Sequence, residues 1–156
     1  MTQPAKTPNA SRVTLAQLMG VTDSNMLGNV HGGHIMKLMD EAGAAAAIRH
    51  SGRRVVTVAV DRLLFKEPIR VGHLVTVTAV VTYVGRTSIE TQIDVSAENL
   101  LTHESTHTNT AYFVYVALDE HGRPAPVPAL DCTSAAERAR FAAGQQRQAT
   151  RKASNQ

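Results

Sequence analysis

The sequence predicts an α+β domain in which one long buried helix is wrapped by an antiparallel sheet of about five strands. Three observations predict it. The stretch from Gly33 to about His50 is apolar on nearly every side. The segments that follow it switch to β-branched, alternating composition, and short glycine- or asparagine-led separators divide the last of them. A helix with so little polar face has to be buried, and the strands that follow it are the layer able to bury it.

Taken in order, residues 1–11 are expected to form a disordered arm. The polar start from Met1 to Arg12 lacks an apolar signal region, which argues against secretion. Arg12 to Gly20 reads as a short strand anchored by Val13, Leu15 and Leu18, and Val21 to His31 as a loop. In the helix, Ile35, Met36, Leu38, Met39, Ala42 and the run Ala44 to Ile48 leave little polar surface, and the alanines make part of it thin enough for a sheet to wrap closely. Ser51-Gly52 supplies the stop. Val55 to Phe65, Leu74 to Val84, Thr87 to Ala97 and Thr106 to Leu118 are the expected strands. In the third, Ile89, Ile93 and Val95 alternate with Ser88, Glu90, Gln92 and Asp94; in the last, Tyr112, Val114 and Val116 face one way. Gly85-Arg86 and Asn99 to Glu104 are short enough for hairpin turns. A sheet this long needs its edges covered or paired, and dimerisation through an edge strand is a natural solution.

The chain has 156 residues, 43% of them hydrophobic, enough for one core. No apolar run approaches the ~18 residues of a spanning helix, so no membrane span is expected. The net charge of +3 resides in the tail: from Asp131 onward, Arg138, Arg140, Arg147, Arg151 and Lys152 face only Asp131 and Glu137. The rest is formally neutral, which argues against a nucleic-acid partner. Residues 131–156 read as a basic, polar, solvated tail, in part helical. The single cysteine, Cys132, forms no internal disulfide, which fits a cytoplasmic location, and it lies outside the patterned core.

Chemistry concentrates in Gly28-Asn29-Val30-His31-Gly32-Gly33 and in Asp40-Glu41-Ala42-Gly43. A helix start exposes unpaired N–H groups and favours negative charge, and Gly32 and Gly33 allow close approach to that backbone. A carbonyl oxygen becoming an oxyanion fits there. A carboxylate in an apolar helix is costly unless paired or used. Asp40 is either a polar-edge residue or a base that takes a proton from water; Asn29 either shapes a turn or orients that water. Eleven residues separate them, about 16 Å along a helix, so a site joining them is expected to be shared between subunits. The Gly33 N–H is the expected oxyanion donor, with Gly32 and His31 shaping the loop. His31/His34 has no obvious acidic or cysteine co-ligands and His103 lies in a polar hairpin, so no metal is expected at either pair, His31/His34 or His103/His107.

These segments resemble the hotdog-fold acyl-CoA thioesterases, in particular the brain-type acyl-CoA hydrolase and its single-domain bacterial relatives. The likeness runs on through Phe65-Lys66-Glu67-Pro68-Ile69-Arg70-Val71-Gly72, Val84-Gly85-Arg86-Thr87-Ser88, Ser96-Ala97-Glu98-Asn99-Leu100-Leu101-Thr102 and Tyr115-Val116-Ala117-Leu118-Asp119, covering residues 12–130. It implies a hotdog domain hydrolysing fatty acyl-CoA to free coenzyme A and a carboxylate. Asp40 would act as base or nucleophile, with Asn29 and Gly33 beside it. Gly85, Arg86, Thr87 and Ser88 would lie near coenzyme A, with Lys66 and Arg123 as further partners for its phosphates. It implies a homodimer with two composite sites, assembling further as a trimer of dimers, and no cofactor beyond coenzyme A within the substrate. The alternatives are a hotdog 3-hydroxyacyl dehydratase, whose proline-rich histidine motif is replaced here by His31-Gly32-Gly33, and a non-catalytic acyl-CoA sensor.

Overall fold

The computed structural model describes residues 3–155. Strand β1 (Val13–Leu18) precedes helix α1 (Gly32–Ser51); β2 (Arg54–Val60), β3 (His73–Val84), β4 (Ser88–Asn99), β5 (Glu104–Leu118) and helix α2 (Ala135–Ser154) follow. The strands form one antiparallel sheet in the order β1-β3-β4-β5-β2, curled around α1 as in the hotdog fold. Among the described residues, no helix is long and apolar enough to cross a membrane.

The alanines of α1 do what their size allows. Ala42, Ala46 and Ala47 are fully buried, and Ile89, Ile93, Val95, Phe113 and Tyr115 of the sheet close over that face. Removing a side chain such as Phe113 or Ile93 from water is worth about 1.5–3 kcal/mol. The helix ends at Gly52, whose φ of 66° is the left-handed stop expected there.

Three expectations need correction. The arm is not disordered within residues 3–11: Pro8–Ser11 form a 3-10 turn with Pro8 and Ser11 buried, and Lys6 exchanges backbone hydrogen bonds with Ala129 and Asp131. Residues 1 and 2 of that arm, and residue 156 of the tail, lie outside the described residues. The strand expected over Val55 to Phe65 ends at Val60. Beyond it, the Leu64 carbonyl is taken by the Asn109 side chain instead of a ladder. In β5, Tyr112, Val114 and Val116 do face one way, and it is the side away from α1, against which Ala111, Phe113 and Tyr115 pack.

The third correction concerns the tail, which is not a solvated appendage. Helix α2 covers that outer side of the sheet. Phe141 packs on Tyr83, with ring centroids 5.0 Å apart, and Arg147 lies over the Tyr112 ring. Beneath them Glu90, from the polar side of β4, is 1% exposed. It accepts from Arg147 at 2.8 and 3.0 Å, from Arg151 at 2.8 Å and from Thr82 at 2.7 Å. Arg151 also grips Asp61, the first residue after β2, at 2.7 and 2.8 Å. Burial alone would push the Glu90 carboxyl up, but the hydrogen bonds from Arg147, Arg151 and Thr82 hold it below its ordinary value.

A carboxyl depressed on folding contributes stability above its unfolded value and loses it as pH falls through the folded value. Glu90→Gln leaves Arg147 without its counter-charge and Arg151 with Asp61 alone, and is expected to cost about 3 kcal/mol near pH 7. The deficit should shrink below about pH 4, as read by denaturant melts across pH. A constant deficit down to pH 2 would refute the ion network as its origin.

Candidate active site

Asp40 lies half-buried on α1, on the side facing β2 and β5. Its Oδ1 accepts from Thr57 Oγ1 at 2.8 Å and from the Tyr115 hydroxyl at 3.1 Å. The same hydroxyl lies 3.1 Å from the Asp40 backbone carbonyl, so its single proton is shared between the two oxygens. Thr57 belongs to β2, the edge strand, and the ladder to β5 skips a residue between Thr57 and Ala59. Such bulges re-aim side chains. Tyr115 is fully buried. Burial first, then the neighbouring Asp40 charge and hydrogen bond, push its phenol well above the usual tyrosine range, so it stays a donor. Neither Thr57 nor Tyr115 was anticipated from sequence. The usable signal was Gly43, one turn beyond Asp40 on the same face, where a Cβ would overlap the Tyr115 hydroxyl.

The helix mouth forms a separate cleft of about 280 Å³, lined by Asn25, Asn29, Gly32, Ile35, Phe65 and Ile69 among others. Asn25 organises its loop as an Asx turn: its Oδ1 accepts the N–H of Leu27 at 2.9 Å and of Asn29 at 3.3 Å, which leaves its amide NH2 as the donating end. The Asn29 carbonyl returns a bond to the Asn25 N–H at 2.7 Å. Asn29 bridges to Arg70. His31 caps α1, its Nδ1 accepting the Gly33 N–H at 2.9 Å. The donor expected for an oxyanion is thus occupied by the chain itself, and Gly32, at the first helical position, is the glycine that lines the cleft.

The coenzyme A candidates divide between two ends of the sheet. The cleft lies before the start of β3, where Arg70 bridges to Asn29, while Gly85, Arg86, Thr87 and Ser88 form the turn after β3, closed by the Gly85 N–H on the Ser88 carbonyl at 2.9 Å. Twelve residues of strand separate those ends, roughly 36 Å when extended. Asp40 lies toward the Arg86 end, since Tyr115 pairs with both Thr57 and Ile89. Arg123 lies at that end too, its guanidinium engaged by Asp119 at 3.1 Å. Lys66 lies at the other, beside Arg62 and His107. Within one chain, therefore, Asp40 is grouped with the Arg86 turn, and Asn29 with Gly32, His31, Gly33 and Lys66. Among the described residues, no three His, Cys, Asp or Glu side chains gather as a metal site.

The profile of the thioesterase superfamily matches residues 27–102. A hexameric acyl-CoA thioesterase, solved in its apo form, superposes with a TM-score of 0.92 at 33% identity, each chain covered to 98%. The Staphylococcus aureus acyl-CoA hydrolase, solved with butyryl coenzyme A and coenzyme A, superposes with a TM-score of 0.89 at 28% identity, over 97% of this chain and 93% of its own. Structures of its alanine variants replace an asparagine, an aspartate fifteen residues later and a threonine seventeen residues beyond that. The mouse cytosolic acyl coenzyme A thioester hydrolase is 34% identical over 99% of this chain, which spans 42% of that relative's length.

His31→Ala removes the acceptor of the Gly33 N–H and is expected to lower stability by about 1 kcal/mol, with His31→Asn recovering most of it. Thermal melts of the three proteins check this.

Proposed function

The chain belongs to the thioesterase superfamily, and from that premise we propose that it hydrolyses the thioester of an acyl-CoA to free coenzyme A and a carboxylate. The observation that carries the assignment of roles is a pair of intervals. Asn25 stands fifteen residues before Asp40 and Thr57 seventeen after it, the spacing of the asparagine, aspartate and threonine replaced in the S. aureus hydrolase. Asn29, eleven residues before Asp40, does not keep that interval. The contact between Thr57 and Asp40 supports the second interval directly.

Asp40 takes a proton from water as that water attacks the thioester carbonyl, or attacks it directly to give an anhydride that water then opens. In the first route the proton held at Asp40 passes to the departing thiolate of coenzyme A; in the second the thiolate leaves as the anhydride forms and takes its proton from the water that opens it. The Asn25 amide and the Gly32 N–H at the helix mouth meet the carbonyl oxygen as it gains charge; such a donor is worth roughly 3–4 kcal/mol in the transition state. Asn29 shapes the loop beneath. The Arg86 turn, with Thr87 and Ser88, binds coenzyme A, and no cofactor enters the chemistry.

The two halves of this machinery lie apart within one chain, so each site takes the Asp40 half from one subunit and the helix mouth from another. Edge strand β2 supports that reading. Val56, Val58 and Val60 are 41–54% exposed along it, beside Thr57 and Asp40. A homodimer closing that edge, assembled into a hexamer as in the hexameric relative, is the proposed form. A cytoplasmic location accords with the mammalian relatives' names.

Asp40→Asn is expected to lower turnover about 10²–10⁴-fold with the fold intact, measured as thiol release from acyl-CoA. Near-wild-type turnover would remove Asp40 from the mechanism.

Asn25→Ala is expected to lose far more turnover than Asn29→Ala. Mixing Asn25→Ala with Asp40→Ala protein under subunit exchange should restore about a quarter of wild-type activity, because half of all dimers then hold one intact site. Demonstrated exchange without recovery would refute the shared site.

A further inference from the structure

We propose that Tyr115 is a positioning residue for the reacting carboxylate: its hydroxyl and that of Thr57 hold one oxygen of Asp40 and thereby present the other, Oδ2, to water. This rests on the reading of Asp40 as the reacting group.

The terminal torsion of an aspartate is broad and nearly two-fold, so a carboxylate on a helix does not choose which oxygen it offers. Here two hydroxyls from two different strands converge on Oδ1, at 2.8 and 3.1 Å. Hydrogen bonds to a charged acceptor are the stronger kind. The two donors differ in rigidity. Thr57 sits exposed on the edge strand, whereas Tyr115 is fully buried between α1 and the sheet. The single Tyr115 proton is shared with the backbone carbonyl of Asp40, so the side chain is referenced to the helix that carries it.

The helix is built to admit this hydroxyl. Glycine inside a helix is ordinarily unfavourable, yet Gly43 lies in the middle of α1. A Cβ there would occupy the place of the Tyr115 hydroxyl and would come within 3.0 Å of Thr91 Oγ1. Gly43 is thus explained by the phenol, and the phenol by the carboxylate. Burial and the adjacent negative charge keep that phenol protonated, so the donor persists wherever Asp40 is ionised. Misplacing a reacting group by about 1 Å can slow chemistry about 100-fold.

The experiment compares Tyr115→Phe, Asp40→Asn and the double variant in the full chain, by thiol release and by titration with coenzyme A. Tyr115→Phe is expected to lower kcat about 10–100-fold, with KM and the Kd for coenzyme A changed less than about twofold, since an interaction felt only at the reacting carboxylate does not alter ground-state binding. On the Asp40→Asn background the same change is expected to remove less than about threefold, because two residues acting through one group are not additive. Gly43→Ala keeps the tyrosine but displaces its hydroxyl, and is expected to reproduce the loss in kcat, so the test does not hinge on Tyr115→Phe folding well. A folded Tyr115→Phe enzyme with wild-type kcat, beside an inactive Asp40→Asn enzyme, overturns the positioning role. So does a loss confined to KM, or a full additional loss on the Asp40→Asn background. Wild-type turnover by Asp40→Asn overturns instead the reading of Asp40 beneath it.

Discussion

A carboxylate on a helix that is apolar almost all round must be hydrogen-bonded, and much of this fold's central geometry follows from meeting that requirement at Asp40. The partners have to come from the sheet, so α1 has to lie close against it. Closeness needs small residues along the contact face, and that face carries Ala42, Gly43, Ala46 and Ala47, all buried. The aromatic that fills the space is Tyr115, not Phe113, at that point because only the tyrosine brings a donor. The same requirement reaches the sheet's edge, where a bulge beside Thr57 accompanies the second donor.

Most of the architecture was legible in the sequence because it is written in periodicity. The apolar, alanine-rich helix, its stop at Gly52 and the strands on either side of the Gly85 turn appear within a residue or two of where the pattern puts them. What was not legible depends on which strand meets which. Parity alone does not say whether Tyr112 or Tyr115 faces the helix; that is decided by register, which local pattern leaves open. The donors to Asp40 come from positions 17 and 75 residues away, and no local signal joins them. The cap at His31 was hidden for a different reason. Glycine at a helix start reads as an open anion site, and only the rotamer of the preceding histidine shows its N–H already taken.

Glu90 illustrates how one uncovered assumption propagates. Strict alternation in β4 assigns it to a solvated face, and that holds for a sheet with nothing on its outer side. Here Tyr83, Tyr112 and Glu90 all lie on that side, and α2 spans them. The five tail cations that account for the chain's net charge are therefore not all free charge: Arg147 and Arg151 are paired with Glu90 and Asp61. Composition counts charges and is blind to pairing. A polar tail with a Ser134-to-Glu137 capping box already carries the start signal of a helix, and its aromatic, Phe141, the hint that the helix docks.

Pinning Asp61 matters beyond stability, because the segment it opens leads to Phe65, which lies against Gly32 at the helix mouth. The tail thus braces one wall of the cleft while Asp40, two turns further along α1, is braced by β2 and β5. Each half of the proposed machinery is held by different elements and at different places. On the proposed reading, a site that needs both halves is completed against another copy. The open edge of β2 has the means to bring one there: an unpaired backbone ladder, three exposed valines and a site residue, Thr57, among them. The covering that this edge needs for solubility and the second half that the site needs for chemistry then become the same contact.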